Sequence, residues 1–305
     1  MKKLLILQAR RFFDKLLQVR KIAKYYHYES RRFQLIDHIL NDTQPGVSGE
    51  RYADYDFIVS LTTYGKRLYD VAFTIESIMQ QSMKANRIVL WLDESFRGKT
   101  LPKSLQNQQK RGLEIAFCKD IRSYKKIIPS LKKFPDNAII TIDDDILYDY
   151  DVLERLIMSH KECPQYIQAI RVHRIILDSH HVPVPYNKWT WNSKETGPHR
   201  LNFLTGGAGA LYPPHCFDDE VFNERVFMDI CPYADDVWLN AMALKNNVLV
   251  NKVYTREYVD NGLLVNAGVQ DIGLNVTNIQ GKKLNDQQLS AVLGKYNLYK
   301  NFKSC

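Results

Sequence analysis

Asn137-Ala138-Ile139-Ile140-Thr141-Ile142 runs straight into Asp143-Asp144-Asp145, and Ile146-Leu147-Tyr148 then resumes the apolar pattern. An apolar run of this length between polar residues suits a central parallel strand, and open α/β sheets place ligands at the carboxyl ends of such strands. Three carboxylates therefore stand where a ligand would. Two carboxylates ~4 Å apart repel by roughly 4 kcal/mol at an effective dielectric near 20, so the cluster needs a cation, a proton or open solvent. Hard oxygen donors select Mg²⁺ or Mn²⁺, ions that proteins hold through one or two carboxylates while substrate phosphates complete the shell. The competing reading is a solvated acidic turn that caps the next helix. Both stand at this point.

Upstream of the triplet, residues 56–61 read as a strand, followed by the polar turn Thr62-Thr63-Tyr64-Gly65-Lys66-Arg67. Periodicity predicts a helix over 69–81, with Val71, Ile75, Ile78 and Met79 inward, a strand over 87–92 ending in Asp93-Glu94, a helix over 102–111 and a strand over 113–118. Residues 120–133 read as a basic helix that Pro129 ends or kinks. Strands and helices alternating through short connections predict a βαβ series and a mostly parallel sheet. Neither the glycine-rich dinucleotide fingerprint nor the phosphate-loop signature is present.

Downstream the pattern is less regular. Residues 151–160 read as helix, 166–176 as strand, and 178–199 as a loop region rich in His, Pro and Trp. Leu201 to Leu204 leads into Thr205-Gly206-Gly207-Ala208-Gly209-Ala210, a run that lets backbone approach a ligand or simply makes a tight turn or bulge. Asp235-Asp236-Val237-Trp238 opens a periodic helix to about residue 245, where the two acids either cap the helix or serve a site. A short strand past residue 248 and a helix near 286–294 close the chain.

The net charge of +8 has one source. Ten Lys and Arg against Asp14 and Glu29 lie in the first 32 residues, which leaves the remainder neutral and argues against a nucleic-acid-binding core. Phe12, Leu16, Val19, Ala23 and Tyr26 recur at helical spacing among these charges, so residues 1–50 read as a basic amphipathic helical arm and linker, 51–280 as the catalytic domain and 281–305 as a helical tail. Such an arm suits the anionic inner face of a cell membrane or packs on the domain with its basic face solvated; the membrane reading is preferred. Arg10 and Arg11 interrupt the apolar run Leu4-Leu5-Ile6-Leu7, and no stretch approaches a spanning helix, so a cytoplasmic, peripherally membrane-associated protein is expected. The five scattered cysteines contain no CxxC pair and read as reduced thiols.

The strand with Asp143-Asp144-Asp145, then Thr205-Gly206-Gly207-Ala208-Gly209-Ala210, then Asp235-Asp236-Val237-Trp238, in this order, resembles nucleotide-sugar glycosyltransferases of the GT-A fold. The match is similar to bacterial surface-polysaccharide enzymes of the family-2-like kind, and its motif order also to the catalytic domain of exostosins. It covers about residues 54–280. The resemblance implies that Asp143 and Asp145, with Asp144 between them, hold Mn²⁺ or Mg²⁺ against the donor diphosphate, Asp145 being the preferred direct ligand. It implies that Thr62, Thr63, Tyr64, Arg67 and Asp93 cradle the base and ribose of a UDP-linked donor. Lys125 is placed near the diphosphate, with a solvated face shared with Lys126, Lys132 and Lys133 as the alternative. Gly206 and Gly207 line the sugar pocket. Asp235 and Asp236 supply the base for the hydroxyl of a saccharide acceptor, lipid-linked by expectation, in capsule, O-antigen or exopolysaccharide synthesis. In the exostosin-like enzymes the equivalent acid lies near the donor sugar, which leaves retention or inversion open. Trp238 walls the sugar site or belongs to the core, and His173, His199 and His215 are candidates for a late metal ligand.

Two rivals differ in class. A Mg²⁺-dependent phosphohydrolase of the haloacid-dehalogenase kind needs DxDx(T/V) near the start of its domain, whereas Ile146-Leu147 follow Asp145 here and about 90 residues of sheet precede it. A carbohydrate- or membrane-binding scaffold would tolerate degenerate motifs, and both acidic motifs are intact.

Overall fold

The computed structural model describes residues 2–254, 263–266, 268 and 284–303; within the first helix, side chains are described at 15, 18, 19 and from 22 onward. Twelve strands are present among the described residues: β1 Phe57–Thr62, β2 Arg87–Asp93, β3 Leu113–Cys118, β4 Ala138–Thr141, β5 Ile146–Leu147, β6 Ile167–Ala169, β7 Val172–Arg174, β8 Gly197–His199, β9 Asn202–Leu204, β10 Ala210–Tyr212, β11 Val250–Lys252 and β12 Leu264–Val265. Eight of them form one sheet in the order β3-β2-β1-β4-β10-β6-β11-β8. Only β10 and β8 run against the rest, so the expected mostly parallel α/β sheet is the observed one. β1 and β4 are buried on both faces, which is why their sequences are apolar at nearly every position.

Helices cover both faces. α1 Lys2–Asn41, α2 Val71–Met79, α3 Lys103–Lys110 and α5 Val152–Glu162 surround a core containing Phe57, Val59, Ile75, Ile140 and Leu156. α4 Ile128–Lys133, α6 Glu224–Ile230, α7 Asp235–Lys245 and α8 Leu284–Lys295 lie in chain order outside that set, and a second core unites Ile128, Phe227, Trp238, Val292 and Phe302. The helical tail is thus part of the domain's packing rather than an appendage. No helix among the described residues is long and apolar enough to cross a membrane.

Four expectations change. Pro129 lies in the first turn of α4 and starts that helix instead of ending one, because a first-turn residue has no intrahelical use for the N–H that proline lacks. Residues 120–133 are accordingly a 3₁₀ turn at Arg122–Lys126 followed by α4. The strand expected over 166–176 is split at Ile170-Arg171 into β6, in the main sheet, and β7, which pairs with β9 in a separate ribbon. The linker is docked: Gly46 N–H donates to Arg111 O and Ser48 N–H to Ala85 O. Finally, the helical arm packs on the domain through Tyr28, Leu35 and Ile39, while Val19 and Tyr26 of the stripe read from sequence are 61% and 68% exposed. The side chains of Phe12 and Leu16 lie outside the described residues, as do residues 269–283 at the expected domain boundary.

Candidate active site

The carboxyl end of β4 opens into a cavity of about 730 Å³ whose lining includes Thr62, Tyr64, Arg67, Lys125, Lys126, Asp143, Asp144, Asp145, Arg171, Gly207, Asp235 and Asp236. The two acidic motifs, 90 positions apart in sequence, therefore share one cleft. Lys126 joins them. Its Nζ lies 2.8 Å from Asp143 Oδ1 and 3.1 Å from Asp235 Oδ2, with its side chain 9% exposed. Burial opposes the ammonium charge, but Asp143, Asp235 and Asp236 outweigh it and hold the amine well above its usual range. The turn carrying Lys126 is fixed by Ser60 of β1, whose hydroxyl donates to Lys126 O at 2.6 Å.

Within the triplet the three acids do different work. Asp144 is turned inward: Thr63 Oγ1 donates to its Oδ2 at 2.6 Å and Arg67 Nη1 to its Oδ1 at 2.7 Å, while its own carbonyl accepts from Thr74. Burial raises its pKa, with Arg67 and Thr63 opposing. Asp143 and Asp145 flank it and are less covered. Asp145 Oδ2 sits 3.2 Å from Arg67 Nη2, so one guanidinium spans Asp144 and Asp145 as its fork geometry permits. Asp143 is held below the usual carboxylate range: burial pushes its pKa up, but Lys126, then Arg171 and Arg67, outweigh it. Its backbone N–H donates to the Tyr148 hydroxyl, which in turn donates to Gly207 O, tying the acidic turn to the glycine turn at 2.9 and 2.8 Å.

The glycine turn is a single 3₁₀ turn at Gly206–Ala208 between β9 and β10. A Cβ on Gly207 would meet Asp143 Oδ2 at 2.7 Å and Arg171 Nη2 at 3.2 Å, so only glycine allows this approach. Gly206 N–H donates to Asp236 Oδ1 at 3.0 Å, across from α7. Asp235 and Asp236 occupy the first turn of α7, where the helix dipole favours carboxylates. Their surroundings differ. Asp235 accepts from Ser123 and pairs with Lys126. Burial and then the Asp235 charge push Asp236 up to about 7, against Lys126 and the Gly206 N–H.

Other residues singled out from sequence lie at the rim of the cleft or outside it. Lys125 bridges Asp120 at 2.8 Å and Asp93 at 4.0 Å, and Asp93 caps a 3₁₀ turn through Ser95 N–H, so this pair sits at the β2 edge of the cleft. Trp238 is 0% exposed and donates to Val221 O, which makes it core and not a sugar wall. His215 pairs with Asp136 on the surface, and His199 accepts from Leu201 N–H in the β8 region. His173 does reach the cleft, where burial holds its pKa down at about 4 and its Nδ1 accepts from Asn192 N–H. Sequence reasoning missed Lys126, Arg171, Tyr148 and Tyr186.

The donor set fits a divalent cation in a limited way. Six carboxylates line the cleft against the five basic side chains Arg67, Arg122, Lys125, Lys126 and Arg171, so a diphosphate would add its charge to a lining that is already negative by one. No three His, Cys, Asp or Glu ligand atoms in the cleft converge within 4.8 Å among the described residues, which leaves Asp143 and Asp145 as protein ligands to be completed by substrate oxygens. The one convergent group, His38, Asp42 and Glu76, instead surrounds the guanidinium of Arg111 at 2.8 Å from Glu76 and 3.0 Å from Asp42.

Comparison with known proteins adds little. No protein-family model matches the chain, and no curated protein does. Among solved structures it is similar to a CMP:2-keto-3-deoxy-manno-octonic acid synthetase complexed with CTP, at 10% identity and a TM-score of 0.37 over 67% of this chain and 90% of that one. A likeness that weak carries no argument about this site, which rests on its own geometry.

Proposed function

We propose that this chain is a metal-dependent glycosyltransferase of the GT-A type, moving a sugar from a UDP-linked donor to a hydroxyl of a saccharide acceptor in surface-polysaccharide synthesis. The observation that supports the reading is Lys126, whose single side chain spans Asp143 and Asp235 in one cleft; the turn after β4 is read as the diphosphate side and the start of α7 as the acceptor side. Asp143 and Asp145 would hold Mn²⁺ or Mg²⁺, which when bound neutralises the departing nucleoside diphosphate. Arg67 and Arg171 supply fixed positive charge beside that position, and Tyr64 with Thr62 lines the cleft end assigned to the nucleotide. Asp236 is the base. It takes the proton of the acceptor hydroxyl as the acceptor oxygen bonds to the sugar C1; the bond from C1 to the phosphate oxygen breaks and its electron pair leaves with the nucleotide. A carboxylate pushed up to about 7 is near the working pH at which a general base is most effective.

The arm supports a place at a membrane. Val19, Ile22, Tyr25 and Tyr26 are exposed on a helix that carries nearly all of the chain's charge excess, the combination that attracts an anionic lipid surface. Lipid-linked acceptors would be met there.

Purified protein incubated with a panel of nucleotide sugars and Mn²⁺ should slowly hydrolyse one donor and stop when the metal is chelated. Release of phosphate from phosphomonoesters without donor hydrolysis would sink the reading in favour of a phosphohydrolase. Removal of residues 2–27 should reduce retention on anionic vesicles; unchanged retention would make the arm a packing element only.

A further inference from the structure

The loop between β7 and β8 builds an aromatic surface that the transfer chemistry above does not use. Trp191 is 42% exposed and lines the same cleft as Asp235 and Asp236. Its ring stacks on His173 at 4.8 Å and 26°, and meets Tyr186 edge-on at 5.4 Å and 72°. Its Nε1 donates to Tyr186 O at 3.3 Å, and the next residue, Asn192, adopts φ +49° and donates its N–H to His173 Nδ1 at 3.1 Å. Beneath, Tyr186 packs edge-on against Phe203, and the buried Trp189 packs against both. The indole is thus pinned on one face and along one edge by side chains that are themselves fixed. An exposed tryptophan held this rigidly loses little further freedom on binding and offers a flat apolar surface beside polar groups.

The surface lies on the acceptor side. His173 pairs with Phe203 of β9, and β9 runs on through Thr205 to Gly206, whose N–H donates to Asp236 Oδ1 at 3.0 Å, so the stack stands on the strand that leads to the carboxylate read above as the base; burial and then the Asp236 charge raise the Tyr186 phenol's pKa, with Arg171 opposing. Tyr64 and Arg67, at the nucleotide end, instead pair with each other. His173 is neutral at physiological pH, so the stack presents no charge to an incoming group.

We infer that Trp191, backed by His173 and Tyr186, is a carbohydrate subsite: it stacks against the apolar C–H face of an uncharged pyranose in the acceptor and sets that ring's hydroxyl toward Asp236. The inference rests on the glycosyltransferase reading and names the part of the acceptor it would bind. A ring with alternating axial hydroxyls on that face would fit less well, so Trp191 would also select among acceptors.

The test uses the full chain, its W191A and W191F variants, the donor that the wild type hydrolyses, and a panel of methyl α- and β-pyranosides. Two readouts are taken: partition of donor between water and glycoside, and quenching of tryptophan fluorescence by glycoside alone. In W191A the ratio of transfer to hydrolysis should fall at least about tenfold, through a raised KM for glycoside, while W191F should recover most of it. The quenching should disappear with the indole. Parallel loss of hydrolysis and transfer at an unchanged ratio would assign the surface to the donor and overturn the inference, as would an unchanged ratio alone. If the wild type hydrolyses no donor, the glycosyltransferase reading fails, and the fluorescence titration still decides the subsite: no quenching by any pyranoside overturns it.

Discussion

The acidic turn after β4 and the acidic start of α7 contain the same side chain and face the same cleft, yet their electrostatics are opposite. Asp143 is held below the usual carboxylate range by Lys126, Arg171 and Arg67 together, whereas for Asp236 burial and the Asp235 charge outweigh Lys126 and the Gly206 N–H and push it up to about 7. The difference lies in what the fold brings to each carboxylate. An ionised carboxylate suits a cation, and a half-protonated one suits a hydroxyl. Division of labour between chemically identical groups follows from their neighbours.

The largest effect should come from removing the titrating member. Asp236→Asn is expected to lower transfer by about 10²- to 10⁴-fold, the range for loss of a general base, with nucleotide affinity retained. In the wild type, transfer should rise with pH through about 7 and level off above it, since the base must be ionised. A flat profile over pH 5–9 would break the comparison. The stability sign is opposite: a carboxyl whose folded pKa is raised contributes stability below its unfolded pKa and loses it as pH rises through about 7. Asp236→Asn should therefore melt higher than wild type at pH 8, by an amount on the order of a few degrees, and at about the same temperature at pH 4.

Next comes the link itself. Lys126→Met fills a similar volume without the charge and leaves Asp143 and Asp235 facing each other across an apolar chain. Breaking a buried pair in this way costs about 3–5 kcal/mol, which chemical denaturation should register, and the pKa of Asp236 should move further up. A pH profile displaced to higher pH in this variant would show that Lys126 couples the two sites. An unmoved profile would mean that they act separately.

Arg67→Lys probes the charged turn alone. A lysine cannot span Asp144 Oδ1 and Asp145 Oδ2, so about 1.5–3 kcal/mol of charge-assisted hydrogen bonding is lost while the net charge stays constant. Weaker nucleotide binding with an unshifted pH profile would confine Arg67 to the first site.

Much of this division was open to sequence reading, and the failures have local causes. The β1–β4 series and the two acidic motifs were legible because long apolar strands and a periodic helix leave strong patterns. Lys125 and Lys126 both line the cleft, yet that Lys126 is the one to span the two acidic motifs depends on a 3₁₀ turn fixed by Ser60, 66 positions away. Trp238 was a candidate because it follows the acids, although a residue two beyond Asp236 lies ~200° around a helix and faces the opposite side. That signal was present. Arg171 was hidden in what read as one strand, since nothing local marks the break between β6 and β7.

The smallest expected effect tests whether the acidic turn is aligned as well as charged. Tyr148 is fully buried, and its hydroxyl both accepts from Asp143 N–H and donates to Gly207 O. Tyr148→Phe keeps the ring and strands both backbone groups, each worth about 1–3 kcal/mol when buried and unpaired. Global stability should fall by roughly that amount. If the tie does no more than stabilise the fold, KM and the maximal transfer rate will follow the loss of folded protein and show no specific change. If it holds the acidic turn in register with the glycine turn, Asp143 and Gly207 will drift apart once the Tyr148 hydroxyl that ties their backbones is gone, and the maximal rate will fall several-fold below the folded fraction while the pH midpoint stays with Asp236. The second outcome is expected, because Asp143 and Asp236 both contact that glycine turn, one through Gly207 and one through Gly206, and its position fixes the distance across which the two kinds of carboxylate must cooperate.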